Sequence, residues 1–126
     1  MRLLHSMIRV KDINASLRFY TELMDMQLVE KRRLEDCWLY FLSDENNTYQ
    51  LELTHNDVNP DKYNIGNGFG HFAFQVESIR EFTKKMKKFG YEYLYEPFDL
   101  TGKGSLIAFI KDPDGYEIEL IESVKW

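Results

Sequence analysis

The spacing of apolar residues changes along the chain, and each change predicts a new element. Alternation with a period of two over residues 3–10 predicts a β-strand, because successive strand side chains point to opposite faces. A helical spacing then predicts a helix over residues 13–26, with Asp12 or Asn14 as its N-terminal cap. Further strands are predicted at residues 26–33, 38–43 and 49–54. The first half of the chain therefore has the predicted order β-α-β-β-β.

The same order returns after a polar stretch at residues 55–69, which holds Pro60, two glycines and four asparagines. A strand is predicted at residues 71–76. The Ser78 to Glu81 capping box predicts the start of a helix, and Gly90 predicts its end. Strands are then predicted at residues 91–96, 105–111 and 116–122. The chain is thus predicted to be one domain, with a first module at about 1–54, a linker at about 55–69 and a second module at about 70–126.

Residues 2–54 and 68–121 look like two copies of one unit, and each copy carries a His and a Glu at equivalent places. His5 opens the first copy and Glu52 lies in its last strand; His71 and Glu119 are their counterparts. Two related modules that each supply one imidazole and one carboxylate predict a shared metal centre. Such a mixed nitrogen and oxygen site, completed by two waters, suits Ni²⁺, Co²⁺ or Mn²⁺, and four- or five-coordinate Zn²⁺ is the alternative.

Each of these residues also has a more ordinary interpretation, since a lone strand His or Glu is more often hydrogen-bonded or solvated than a ligand. The duplicated placement favours ligands. Glu117 shares a face with Glu119, but the internal alignment pairs it with Gln50, so we select Glu119 and expect Glu117 to be exposed or to support the site. His55 is expected to be a surface residue.

Composition narrows the class of protein. The chain has 126 residues, a hydrophobic content of 44% and a formal net charge of −5. A packed core is therefore expected, and nucleic acid or an anionic membrane is not the expected partner. Cys37 is the single cysteine, so no internal disulfide can form, which suits a cytoplasmic protein. We expect Cys37 to be a buried hydrophobic residue.

Four segments of the chain are distinctive: MRLLHSMIRVKDINASLRFYTELMDMQLV, QLELTHN, DKYNIGNGFGHFAF and IAFIKDPDGYEIELIE. Together they resemble the short bacterial type of glyoxalase I, in the vicinal-oxygen-chelate superfamily. The resemblance covers nearly the whole chain. It implies an α+β fold of two βαβββ modules whose open sheets pair into a barrel-like cleft, and a homodimer with its active sites at the subunit interface.

The resemblance also implies roles for particular residues. It assigns the metal ligands to His5, Glu52, His71 and Glu119, the four residues chosen above from the repeat. Arg9 and Asn56 match the residues that hold the glutathione part of the substrate in the family. The implied metal is Ni²⁺, then Co²⁺, with Zn²⁺ as the remaining candidate. Lys103, in a Thr-Gly-Lys-Gly loop, is either an anion contact or a solvated side chain.

The implied reaction is isomerisation of the hemithioacetal of methylglyoxal and glutathione, or another small thiol, to an S-lactoyl thioester. Glu119 is the expected base, assisted by Glu52.

Two alternative functions stay open. One is an acyl-CoA epimerase of the same superfamily, although related epimerases tend to carry Gln at the position of Glu52. The other is a non-enzymatic, small-molecule-binding dimer without metal. An iron dioxygenase fits less well, because its site resembles two His and one carboxylate.

Overall fold

The computed structural model describes residues 1–122 and divides the chain into two compact units. The first unit is Met1–Asn64 and the second begins at Ile65. We call them module 1 and module 2. In the described residues, no helix has the length and apolar character needed to cross a membrane.

Module 1 contains a four-stranded mixed sheet with the strand order β1-β4-β3-β2. Strand β1 runs parallel to β4, and the other neighbours are antiparallel. The elements are β1 (His5–Arg9), α1 (Ile13–Leu17), a π-helical turn (Arg18–Leu23), β2 (Gln27–Arg33), β3 (Cys37–Ser43) and β4 (Gln50–Asn56).

The helical segment of module 1 differs from its prediction in both form and length. Asp12 is the cap, and its Oδ1 accepts a hydrogen bond from the Ala15 amide at 3.1 Å. The turn then widens, so that the Met24 amide donates to the Phe19 carbonyl, five residues earlier. Asp25 has a φ of 57°, which stops the helix short of the predicted end at residue 26.

Module 2 repeats the same sheet with the strand order β5-β8-β7-β6. Strand β5 runs parallel to β8, and the other pairs are antiparallel. The predicted fold class is therefore confirmed: each half of the described chain is a βαβββ module with an open sheet. The elements are β5 (His71–Val76), α2 (Ile79–Lys88), β6 (Tyr93–Asp99), β7 (Leu106–Lys111) and β8 (Glu117–Glu122).

Helix α2 follows its sequence signals closely. Ser78 accepts a hydrogen bond from the Glu81 amide at 3.2 Å, and Gly90 has a φ of 82° after the last turn. The helix buries Ile79, Phe82 and Met86.

The strand after α2 begins later than predicted, at Tyr93 instead of residue 91. The reason is that the Tyr91 amide still donates to the Met86 carbonyl at 3.2 Å, which ties residue 91 to the helix end. A second correction concerns the predicted linker. The predicted linker includes His55 and Asn56, but both residues lie within β4, opposite Trp38 and Cys37 of β3.

Candidate metal centre

His5 and Glu52 come together because their strands are parallel neighbours. His5 lies opposite Gln50, so Glu52 is two residues further along β4 and shares the face of the imidazole. The distance from His5 Nε2 to Glu52 Oε1 is 3.4 Å. Module 1 thus presents one nitrogen and one oxygen donor side by side.

Module 2 builds an equivalent pair from its own parallel strands. His71 lies opposite Glu117, and His71 Nε2 is 3.0 Å from Glu119 Oε2. Glu117 occupies the place of Gln50 in the register, as the internal alignment predicts, and Glu119 is the carboxylate that contacts the imidazole.

The two members of each pair differ in exposure. The imidazoles expose about 40% of their side-chain surface, at 40% and 41%, while the carboxylates expose 10% and 12%. Both glutamates are therefore buried on their strands, and neither is the solvated carboxylate that a lone strand Glu would be. A buried carboxylate needs a polar or cationic partner, and a half-exposed imidazole beside it leaves one side open to a ligand.

The spacing of the donors fits a shared divalent cation. Two ligands about 2.1 Å from one ion lie roughly 3.0 Å apart at a right angle and roughly 3.4 Å apart at a tetrahedral angle. The observed separations of 3.0 Å and 3.4 Å fall at these two values. Each pair could thus supply two adjacent ligands. Neither module alone, within residues 1–122, brings three or more His, Cys, Asp or Glu side chains together. The four-ligand centre stays a prediction.

One neighbour of each histidine was missed by the sequence analysis. The His5 ring meets the Phe41 ring edge-on, at 5.6 Å between centroids, and His71 meets Phe109 in the same way at 5.4 Å. Phe41 lies opposite Glu52 and Phe109 lies opposite Glu119 in the strand registers. The repeat itself carried the signal, since both phenylalanines occupy equivalent places in the middle strand of their modules.

A second neighbour distinguishes the two carboxylates. The Thr54 hydroxyl donates to Glu52 Oε2 at 2.7 Å in a buried hydrogen bond. The residue at the equivalent place of module 2 is Ile121, which has no hydroxyl. Within residues 1–122, Glu52 therefore has polar contacts at both oxygens and Glu119 has a polar contact at one.

The predicted substrate-binding residues both belong to module 1. Arg9 is exposed at the end of β1, opposite Thr54, and Asn56 is the last residue of β4 on the face of Thr54 and Glu52. The Asn56 Nδ2 donates to the Tyr63 hydroxyl at 3.1 Å.

The remaining candidates lie apart from the His–Glu pairs. Cys37 is buried, as predicted, and burial raises the pKa of its thiol, which does not favour a nucleophile. His55 is half-buried on the face of β4 opposite Glu52. Lys103 is exposed, in a loop whose backbone amides donate hydrogen bonds to the Asp99 carboxylate. These hydrogen bonds lower the pKa of the Asp99 carboxyl, and the one from Gly104 has the largest effect.

Residues 2–120 match the profile of the Glyoxalase/Bleomycin resistance protein/Dioxygenase superfamily. The chain belongs to this superfamily. Its relatives include a probable lactoylglutathione lyase of Synechocystis, 42% identical over 98% of this chain and 96% of that protein. A lactoylglutathione lyase of Escherichia coli O157:H7 is 38% identical over 97% of this chain and 93% of its own length.

Solved structures give the same picture. Glyoxalase I from Zea mays superposes with a TM-score of 0.87 at 38% identity, over 98% of this chain. This chain spans only 45% of the maize chain. The trypanothione-dependent glyoxalase I of Leishmania major has a TM-score of 0.81 at 37% identity, over 97% of this chain and 86% of that one. The similarity therefore extends from the sequence to the fold of glyoxalase I.

Proposed function

We propose that this chain is a lactoylglutathione lyase that isomerises the hemithioacetal of methylglyoxal and glutathione to S-lactoylglutathione. The observation that carries the proposal is the pair of matching His–Glu contacts, at 3.4 Å and 3.0 Å. The chain is also similar, over nearly its full length, to bacterial proteins named lactoylglutathione lyase. The substrate is a small molecule. Another small thiol in place of glutathione is the nearest variant of the same reaction.

Catalysis of this kind depends on a divalent metal, and His5, Glu52, His71 and Glu119 are the residues proposed to hold it. The bound ion would supply Lewis-acid stabilisation for negative charge that develops on the substrate oxygens. Two imidazole and two carboxylate donors suit a six-coordinate ion of the Ni²⁺ or Co²⁺ kind. We therefore place Ni²⁺ first, Co²⁺ second and Zn²⁺ third.

Glu119 is the proposed base. The reaction removes a proton from the carbon that bears sulfur and returns a proton to the neighbouring carbon, so no atom is gained or lost. A carboxylate that moves a proton must leave one oxygen available to the substrate. Within residues 1–122, Glu119 has a polar contact at Oε2 only, whereas Thr54 already occupies the second oxygen of Glu52. Glu52 is thus the better fixed ligand and Glu119 the better proton carrier.

A homodimer is proposed as the assembly, with each centre built from module 1 of one subunit and module 2 of the other. The support is the resemblance to glyoxalase I, which implies sites at a subunit interface, and each module of this chain supplies one His–Glu pair of the four proposed ligands. A cytoplasmic location stays a prediction from the single cysteine, and cell fractionation would test it.

The test is an isomerase assay on metal-stripped protein with the preformed hemithioacetal, adding Ni²⁺, Co²⁺, Mn²⁺ or Zn²⁺ singly. Thioester formation restored best by Ni²⁺ or Co²⁺ supports both the reaction and the metal class. Restoration by Zn²⁺ alone would reject the metal assignment. No thioester with any metal, in protein shown by titration to bind metal, would reject this substrate and turn attention to acyl-CoA epimerisation.

A further inference from the structure

The face of the module 1 sheet that carries Glu52 also presents a guanidinium from the edge strand β2. Leu39 is two residues before Phe41 on β3, so their side chains share this face, and Arg32 lies opposite Leu39. The Arg32 Cζ atom is 5.7 Å from the centroid of the Phe41 ring, and the same ring meets the His5 ring edge-on at 5.6 Å between centroids. A single aromatic ring therefore separates the guanidinium from the imidazole.

Arg32 is only partly engaged by protein atoms, in contrast to its neighbour Arg33. Glu30 accepts hydrogen bonds from Arg32 Nε at 3.1 Å and from Nη2 at 2.5 Å, and both bonds end on one carboxylate oxygen. Arg33 lies on the opposite face, where its Nη1 and Nη2 atoms each bond a different oxygen of Asp57. Arg33 thus has a complete paired contact with a carboxylate. Within residues 1–122, the Nη1 group of Arg32 has no protein partner and can donate to a ligand.

The surroundings of Arg32 suit an anion at the end of a short alkyl chain. The Arg32 side chain exposes 56% of its surface, so its guanidinium is accessible, whereas Phe41 is buried in the sheet at 6% exposure. A substituent that extends from the His5–Glu52 pair toward β2 would first cross the apolar Phe41 ring and then meet the cation. A planar guanidinium matches the geometry of a carboxylate.

We infer that Arg32 is a specificity-determining residue that binds a carboxylate at the far end of the 2-oxoaldehyde, so that anionic 2-oxoaldehydes are substrates of this protein alongside methylglyoxal. The inference rests on the proposed function for the reaction at the aldehyde and ketone carbons, and it leaves that reaction unchanged. It adds a substrate class. The favoured aldehyde carries its carboxylate beyond a short alkyl chain, because the Phe41 ring separates Arg32 from the imidazole.

The test compares the glutathione hemithioacetals of 4,5-dioxopentanoate and of 2-oxopentanal, in which a methyl group replaces the carboxylate. Arg32→Gln should lower kcat/KM for the anionic substrate by about 10-fold, mainly through KM, and change kcat/KM for the neutral one by less than about 2-fold. The substituted side chain is exposed, so folding should not be affected. An equal effect on both substrates, or no effect on either, would overturn the inference.

Two further variants separate a direct contact from the general charge of the surface. Lys31→Gln removes a positive charge from the adjacent residue, whose side chain lies over Trp38 on the opposite face, and it should change the ratio of the two kcat/KM values by less than about 2-fold. Glu30→Gln removes the competing negative charge and should raise kcat/KM for the anionic substrate by about 3-fold. A Lys31→Gln effect as large as that of Arg32→Gln, or a lower kcat/KM in Glu30→Gln, would overturn the inference.

Failure of the reaction and failure of the inference are distinguishable by a binding measurement. Calorimetric titration with S-(3-carboxypropyl)glutathione and S-butylglutathione requires no turnover, and these ligands differ only in a terminal carboxylate or methyl group. Arg32→Gln should weaken binding of the carboxylate form by about 10-fold and leave binding of the butyl form unchanged. That result would support the inference even if no thioester were formed. Equal losses for both ligands, or unchanged affinity for both, would overturn it, whatever the activity.

Discussion

Modules 1 and 2 are built alike but hold their carboxylates differently. Each has a half-exposed imidazole, a buried Glu two residues beyond the register partner of that imidazole, and a Phe ring against its edge. In module 1 the carboxylate has a second anchor in the Thr54 hydroxyl, and in module 2 the equivalent residue is Ile121. A duplicated scaffold thus supplies two copies of one His–Glu pair. One side chain distinguishes a carboxylate with contacts at both oxygens from a carboxylate that, within residues 1–122, has a polar contact at one oxygen.

The largest effect is expected from the carboxylates themselves. Glu119→Gln should lower kcat by about 10³-fold, since it removes the proton carrier, while Glu52→Gln should lower kcat by only about 10-fold to 100-fold. Steady-state assays at saturating Ni²⁺ would measure both. Retained binding of S-methylglutathione would show that the substrate pocket is intact. Equal losses of kcat in the two variants would contradict the proposal that Glu119 carries the proton and Glu52 is the fixed ligand.

The Thr54 anchor gives the next largest effect. Thr54→Val keeps the shape of the side chain but removes the hydroxyl that holds Glu52, so metal affinity should fall by about 10-fold. Competition with a chromophoric chelator would measure the affinity without turnover.

The reverse exchange sharpens the comparison. Ile121→Thr offers Glu119 the hydroxyl that it lacks, so kcat should fall several-fold, by roughly 3-fold to 10-fold, because the second oxygen becomes engaged. The kcat of the Ni²⁺ form is the readout. If kcat is unchanged in Ile121→Thr and metal affinity is unchanged in Thr54→Val, the hydroxyl does not distinguish the two modules.

A smaller effect is expected at the phenylalanines. Phe41→Leu and Phe109→Leu each remove an edge contact with a ligand histidine and keep an apolar side chain, so metal affinity should fall by about 3-fold. The two variants should behave alike in the chelator competition, because the ring contacts are nearly the same, at 5.6 Å and 5.4 Å. A loss at one site only would break the equivalence of the pairs.

The smallest effects concern stability in acid. The Arg33 guanidinium hydrogen-bonds both oxygens of Asp57 and holds the pKa of that carboxyl below its ordinary 3.8. In module 2, backbone amides led by Gly104 lower the pKa of the Asp99 carboxyl. Each group binds fewer protons when folded, so its stabilisation is present above pH 3.8 and is lost as the pH falls through the lower folded-state pKa.

Asp57→Asn and Asp99→Asn should therefore lower Tm at neutral pH, by less than about 3 °C because both sites are exposed, and should have no effect in strong acid. Thermal unfolding at several pH values and salt concentrations would test this. The Asp57 effect should shrink in high salt, and the Asp99 effect should persist because its partners are backbone amides. The opposite salt response would reverse the assignment of causes.

Much of the fold was predictable because it depends on local periodicity and turn chemistry. The repeat of β-α-β-β-β, the Ser78 cap and the stop at Gly90 are properties of short segments. The His–Glu pairs were also visible, since equivalent residues of two copies occupy equivalent places in their sheets.

Features that depend on strand register or tertiary packing could not be predicted from the sequence. The π-helical turn before Asp25 replaces an ordinary helix end, and periodicity alone does not distinguish the two. The Thr54 to Glu52 hydrogen bond needs two side chains on one face of β4 to be buried together. The hydrogen bonds that link Asn59, Tyr63 and Asn56 lie partly in a segment that looks like a polar linker in the sequence.

The central claim is that one metal centre is made by module 1 of one subunit and module 2 of another. The most direct measurement mixes two inactive variants, His5→Ala with Glu52→Ala in one and His71→Ala with Glu119→Ala in the other, after subunit exchange. Half of the dimers are then mixed, and each mixed dimer regains one complete site, so about one quarter of the unaltered activity and tight metal binding should return. Mixed dimers, verified by mass spectrometry, that regain neither activity nor tight metal binding would contradict the account.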